Sequence, residues 1–142
     1  MNVSEIMNTS VVTVTVSDTA AEAARLLARH NIGAVPVTSD DGHLRGILTD
    51  RDIITRCIAA ELDPADTRCG EIMTKSVLTV TTDDDVREAA RKMSVNRVRR
   101  VPVTLGEHLV GIVALADMAR HPKFDMEASH ALTEISSNVR RV

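Results

Sequence analysis

Thr49 and Asp52 are the pair in this chain best placed to do chemistry. They follow a strand-like run and open an apolar-periodic helix, so they stand at a strand-to-helix junction. Backbone N–H groups at a helix start lack intrahelical partners and, with the helix dipole, favour an anion. Ionised Asp52 is acceptor-only, and neighbouring Arg51 could add a charge-assisted contact to an anion. The same spacing also allows a capping box, in which the two side chains and backbone N–H groups serve one another. The residues by themselves leave both readings open.

Other reactive residue types do not assemble. His30, His43, His108, His121 and His130 never take the spacing of a helical metal pair, and Cys57 lies on an apolar helix face, twelve residues before Cys69. No metal site is expected, and the thiols are expected to stay reduced. There is no Gly-x-Ser-x-Gly elbow, no phosphate loop ending in Gly-Lys-Ser or Gly-Lys-Thr, and no Gly-x-Gly-x-x-Gly. Asp83-Asp84-Asp85 sits at a polar helix start and reads as capping. With no nucleophile or base assembled, no enzyme is expected.

The elements that must position Thr49 and Asp52 occur twice. Ile6-Met7 through Thr15 matches Ile72-Met73 through Thr81, and Val35-Pro36-Val37-Thr38 matches Val101-Pro102-Val103-Thr104, both at a shift of 66. At a shift of 65, His43-Leu44-Arg45-Gly46-Ile47 meets His108-Leu109-Val110-Gly111-Ile112, and Asp52 meets Asp117. Each copy predicts strand, helix, strand, strand, helix. Val11–Val16 is β-branched and predicts the first strand. Asp18 and Asp84 are expected to cap the first helices. Their buried faces would be Ala20, Ala23, Ala24 and Leu27, then Val86, Ala89, Ala90 and Met93. Short strands near Ala34–Thr38 and Leu44–Thr49 flank the Ser39-Asp40-Asp41-Gly42 turn, with Leu105-Gly106-Glu107 as the second copy's turn. Pro36 and Pro102 predict edge or bulged strands. Ile53, Ile54, Cys57 and Ile58 predict the inner side of a helix ending near Leu62-Asp63-Pro64. The boundaries are 3–62 and 72–120 for the copies, 63–71 for a connector, and 121–142 for a tail. That tail carries one helical segment, Ala128–Val139, which Leu132 and Ile135 could lay against the body or a partner.

Of the 142 residues 44% are hydrophobic, yet Phe124 is the only aromatic. Aliphatic residues and Met must therefore build the core. A formal net charge of −3 gives no general attraction to nucleic acid or to an anionic membrane. No apolar run approaches the roughly 18 residues needed to span a bilayer, and no secretory leader is read at Met1–Met7. The expected location is cytoplasmic.

Ile6-Met7 and Ile72-Met73, the two Val-Pro-Val strands, Gly46–Ile53 and Gly111–Met118 together resemble a pair of cystathionine-β-synthase-type (CBS) domains, a Bateman module. The likeness covers roughly Val3–Arg120 and is similar to small bacterial proteins that consist of one such pair. It implies an α/β (α+β) fold of two tandem CBS domains with pseudo-two-fold symmetry, each about β-α-β-β-α. It also implies a non-enzymatic regulatory or sensor module binding an adenosine-containing ligand (AMP, ATP or S-adenosylmethionine class) in the cleft between domains. The family's nucleotide motif falls on Gly46, Ile47, Thr49 and Asp52. Thr49 would then meet phosphate and Asp52 the ribose hydroxyls, beside Arg51. Gly33 and Ala34, and their counterparts Arg99 and Arg100, would line the clefts, unless the arginines pair with Asp83–Asp85. Without an aromatic plate, the base would lie among Val12, Val35 or Ile112. In the second copy Asp117 remains, but Ala114 replaces the hydroxyl residue, which weakens that site. The alternative is a ligand-independent structural or stress-associated interaction protein. No resident cofactor is required. A homodimer is implied, held by the helices that begin at Asp50 and Leu115, with an unidentified protein target and neither nucleic acid nor membrane as partner.

Overall fold

The computed structural model describes residues 1–121 and 125–137. Phe124, Val139 and the basic ending 138–142 lie outside the described residues. The elements are β1 (Val14–Thr15), α1 (Ala20–His30), β2 (Ala34–Thr38), β3 (Leu44–Thr49), α2 (Asp50–Ile53), α3 (Cys69–Ile72), β4 (Val80–Thr81), α4 (Val86–Asn96), β5 (Arg100–Leu105), β6 (His108–Ala114), α5 (Leu115–Ala119) and α6 (Asp125–Ser137). A π-turn, Ile54–Ile58, continues α2. The fold is α+β, with two β-α-β-β-α repeats. Two three-stranded sheets run β1-β2-β3 and β4-β5-β6.

The chain divides into two compact units that cut across the repeat. The first holds Val12–Val77 and Glu107–Leu109; the second holds Met1–Val11, Leu78–Gly106 and Val110–Val142. Each unit therefore contains the lead-in of the other copy. In the first unit Cys69–Ile72 forms α3, and Thr74 bonds Ile47 in both directions (N to O 2.8 and 2.9 Å). In the second unit a 3-10 turn at Val3–Glu5 takes that place, and Asn8 bonds Ile112 in both directions (2.8 and 2.9 Å). Gly46 and Gly111 make this approach possible. A Cβ on Gly46 would stand 2.7 Å from both Met73 Sδ and Thr74 O; on Gly111 it would stand 2.7 Å from Met7 Sδ and 3.1 Å from Asn8 O. Packing of the Ile-Met lead-in thus accounts for each glycine sterically.

Each unit builds its core from aliphatic residues, Met and Cys, as the composition requires. Val14, Ala20, Ala23, Leu27, Val35, Val37, Leu48, Ile53, Cys57, Cys69 and Ile72 form the first. Both cysteines are free and buried; burial, with Asp18 and Glu22 nearby, pushes the Cys69 thiol up to about 11. In the second core, Met93, Val101, Val103, Val113, Leu115 and Met118 meet Ala128, Ala131 and Ile135 of α6. Among the described residues no helix is long and apolar enough to cross a membrane.

Several local expectations change. The first strand shortens to Val14–Thr15, pairing parallel with Val37–Thr38. Asp18 and Asp84 do not cap the helices; they accept from Thr15 N (2.8 Å) and Thr81 N (2.9 Å), closing the preceding turns. The caps are Thr19, whose hydroxyl accepts from Glu22 N, and Asp85, which accepts from Arg87 N. Pro36 and Pro102 lie in central strands. Pro36 opposes Ile47, whose own backbone groups turn away to Thr74, so proline's missing donor points to the side where β1, which pairs only from Val37 onward, has not yet begun. Ala24 is exposed. Ile54 and Ile58, expected inside, are 59% and 52% exposed; only Ile53 and Cys57 face the sheet. In the second copy Leu115 and Met118 are buried and Ala119 is exposed. On α6, Ile135 is buried and Leu132 is 45% exposed.

Candidate functional site

In the first unit the chain leaves α1 through Asn31 in the left-handed region (φ 52°), which turns it sharply into β2. Gly33 O then accepts from Asp50 N at 2.9 Å, and Ala34 pairs in register with Thr49. Gly33, Ala34, Thr49, Arg51 and Asp52 are thereby gathered at one β3–α2 junction. Gly33 faces the Asp50 carboxylate, which a Cβ there would meet at 3.6 Å. Val12 is placed differently: half-buried, it packs against the core.

The expected capping box is present. Thr49 Oγ1 accepts from Asp52 N at 2.9 Å, and Asp52 Oδ2 accepts from Thr49 N at 3.1 Å. Asp52 has further partners that lie beyond local sequence. Thr74 Oγ1 donates to Oδ2 at 3.4 Å, and Arg56 Nη2 stands 3.5 Å from Oδ1. Arg56 Nη1 donates to Ile72 O (3.0 Å) and Thr74 Oγ1 (3.1 Å). The Asp52 side chain is 12% exposed and that of Arg56 46%. Arg51 is exposed. Arg56 could have been found by its position one helical turn after Asp52. Thr74, 22 residues from Asp52, carries no local signal.

The corresponding junction of the second unit is sparser. Arg99 O accepts from Leu115 N at 3.0 Å, matching the Gly33–Asp50 contact. Asp117 Oδ2 accepts from Ala114 N at 3.0 Å, but Ala114 has no side-chain oxygen to complete the box. Arg120 Nη1 donates to Asp117 Oδ1 at 3.1 Å. Arg99 and Arg100 are exposed and Ile112 is half-buried. The acidic run is engaged locally: Asp84 and Asp85 serve backbone N–H groups. Among the described residues no group of three or more His, Cys, Asp or Glu is placed to hold a metal ion.

The CBS domain model matches twice, over residues 3–58 and 69–123. The chain belongs to the CBS-domain family. This CBS pair is 43% identical over 117 residues to Hypoxic response protein 1 of Mycobacterium tuberculosis, covering 82% of each chain. The crystal structure of Hypoxic Response Protein I with two coordinated zinc ions superposes with a TM-score of 0.77 at 40% identity, over 85% of this chain and 98% of that one. A CBS domain pair in complex with 5'-methylthioadenosine and S-adenosyl-L-methionine gives 0.70 at 33% identity, over 84% and 94%. A hexameric CBS-CP12 protein from bloom-forming cyanobacteria gives 0.69 at 31% identity, over 88% and 70%. The protein is thus a CBS-domain regulatory module, a non-catalytic class whose relatives include ligand-bound and oligomeric examples.

Proposed function

We propose that this CBS pair senses an adenosine-containing ligand of the AMP, ATP or S-adenosylmethionine class at the β3–α2 junction of the first unit. The observation that carries the reading is the Thr49–Asp52 junction, which presents a hydroxyl, a carboxylate and a helix start beside Gly33. Phosphate or another polar tail would meet Thr49 and Arg51, and a ribose diol would meet Asp52. Gly33 and Ala34 leave room for close approach, and Val12, outside the junction and packed against the core, would meet the base only with its half-exposed side. The related pair bound to 5'-methylthioadenosine and S-adenosyl-L-methionine supports the ligand class. In the second unit Arg99, Arg100 and Asp117 take the places of Gly33, Ala34 and Asp52, and Ile112 would be the apolar contact, with weaker binding because Ala114 lacks the hydroxyl. The nucleotide is a regulatory ligand, not a resident cofactor. Calorimetric titration with AMP, ATP and S-adenosylmethionine tests this: saturable binding to the wild type, weakened at least tenfold by Asp52→Ala, supports it. Binding that is absent throughout the panel rejects it in favour of a ligand-independent interaction module, the reading that Ala114 favours.

Occupancy would be passed on through assembly and a protein target. Ile54, Ile58 and Leu62, exposed at 59%, 52% and 46%, support pairing with a second copy through this face. Sedimentation across a micromolar dilution series should show twice 15.4 kDa, reverting to 15.4 kDa in Ile54→Asp without unfolding. A 15.4 kDa wild type throughout would reject the pairing.

A further inference from the structure

The Asp52 carboxylate is already in use. A carboxylate offers about four lone-pair sites, and three are engaged: Thr49 N and Thr74 Oγ1 on Oδ2, and Arg56 Nη2 on Oδ1. A vicinal diol donates two hydrogen bonds to a carboxylate, so one existing partner must leave before it can dock. The three are not equally held. Thr49 N is fixed at 3.1 Å by the reciprocal box, and the Thr74 backbone is pinned in both directions to Ile47. The Arg56 contact, at 3.5 Å, is the longest, and its guanidinium is half-exposed. Arg56 also keeps two other acceptors, Ile72 O and Thr74 Oγ1, when Nη2 withdraws. The neighbouring Oδ2 contact from Thr74 is long as well, at 3.4 Å.

We infer that Arg56 and Thr74 form a latch over Asp52 that a ligand diol opens by displacing Arg56 Nη2. The inference rests on the reading that Asp52 receives that diol. Neither residue belongs to the nucleotide motif; both are positioning residues acting through Asp52. The latch has two ends. Arg56 sits within the π-turn between exposed Ile54 and Ile58, and its other contacts reach the end of α3 and the residue that bridges to β3. Opening therefore releases Arg56 from Asp52 and leaves the turn carrying the exposed isoleucines held through Arg56 to the lead-in segment alone, which links occupancy at Asp52 to that face. In the second unit Arg120 approaches Asp117 from its own helix, three residues on, and the Thr74 position is Asn8, whose side chain accepts from Ser10 N and makes no hydrogen bond to Asp117 among the described residues. The latch is a property of the first unit.

The test uses the full chain and adenosine, whose lack of charge keeps removal of an arginine from altering long-range attraction. A latch competes with the ligand, so Arg56→Gln should bind adenosine at least threefold more tightly than wild type while melting at a lower temperature. Arg56→Lys should restore wild-type affinity in large part. A purely structural arginine would lower affinity and melting temperature together, and that outcome overturns the latch. If Arg56→Gln does not fold, Thr74→Val, which removes the hydroxyl donor, must show the same gain; equal or weaker binding overturns it. Absence of adenosine binding in every variant defeats the ligand reading but still leaves the latch exposed to a second measurement. Amide hydrogen exchange at Ile47 and Thr74 should then run at least threefold faster in Arg56→Gln than in wild type, and unchanged exchange overturns it.

Discussion

In the first unit Ile54, Ile58 and Leu62 face outward, whereas in the second Leu115 and Met118 share one core with Ala128, Ala131 and Ile135 of α6. The two surfaces arise from one repeated pattern. At the repeat's own alignment exposed Ala24 becomes buried Ala90, and exposed Asp50 becomes buried Leu115. An extra helix lies across α4 and α5, and Arg87 meets Glu127 at its edge (3.2 Å). The lesson is that a helix face in this repeat is not apolar or solvated by design of the fold. With α6 as a cover, the positions of Ala24 and Asp50 become the buried Ala90 and Leu115, whereas Ile54 and its counterpart Ala119 are exposed in both units.

Breaking the cover should have the largest effect. Ile135→Ala removes a 7% exposed side chain and should cost about 2–5 kcal/mol in urea unfolding. Leu132→Ala, one turn earlier on the exposed side, should stay within about 0.5 kcal/mol. Comparable losses from the two would mean that α6 does not cover the second unit as described.

The lead-in contacts give a finer comparison. Gly46→Ala and Gly111→Ala should each cost about 1–3 kcal/mol by overpacking, with Gly46→Ala the worse. Its new Cβ meets a backbone oxygen at 2.7 Å as well as Met73 Sδ, and backbone yields less readily than a methionine. Chemical denaturation of both variants ranks them, and a milder Gly46→Ala would contradict this geometry.

The smallest effect concerns the caps. Thr49→Ala should lose about 1 kcal/mol by removing half of a complete box, and Ala114→Thr should gain a similar amount by completing the other. Melting temperatures of the two variants should move in opposite directions. If Ala114→Thr is neutral, the second junction is not short of a cap, and the contrast between the units lies elsewhere.

How far these features could be read from sequence depended on the range of the interaction. Repetition of Val-Pro-Val and the following Gly-Ile placed β2 and β3 at Ala34–Thr38 and Leu44–Thr49, because strand, turn and strand are local. Thr49 and Asp52 could be paired for the same reason. The caps were misplaced by one residue because Asp18 and Asp84 can serve a turn as readily as a helix start. Helical periodicity put Ile53, Ile54, Cys57 and Ile58 on one stripe, but the sheet covers only Ile53 and Cys57. Nothing local could show that Met73 sits on Gly46 or Met7 on Gly111, nor that Thr74 reaches Asp52. Those contacts depend on which lead-in packs with which sheet, and each sheet takes the lead-in written in the other copy.

That exchange of lead-ins sets an order of events during synthesis. Asn8 leaves the ribosome well before the strand it bonds, at Ile112, which is made more than a hundred residues later. At roughly 5–20 residues per second, the N-terminal segment waits on the order of 5–20 seconds with its apolar Val3, Ile6 and Met7 unpartnered. The sheet around β2 and β3 has its own lead-in, α3, within a few dozen residues. Nascent chains stalled before residue 100 should therefore be cleaved by protease within Met1–Val11 while Ala34–Thr49 resists. Equal protection of both segments at that length would show that the early residues find another place to rest.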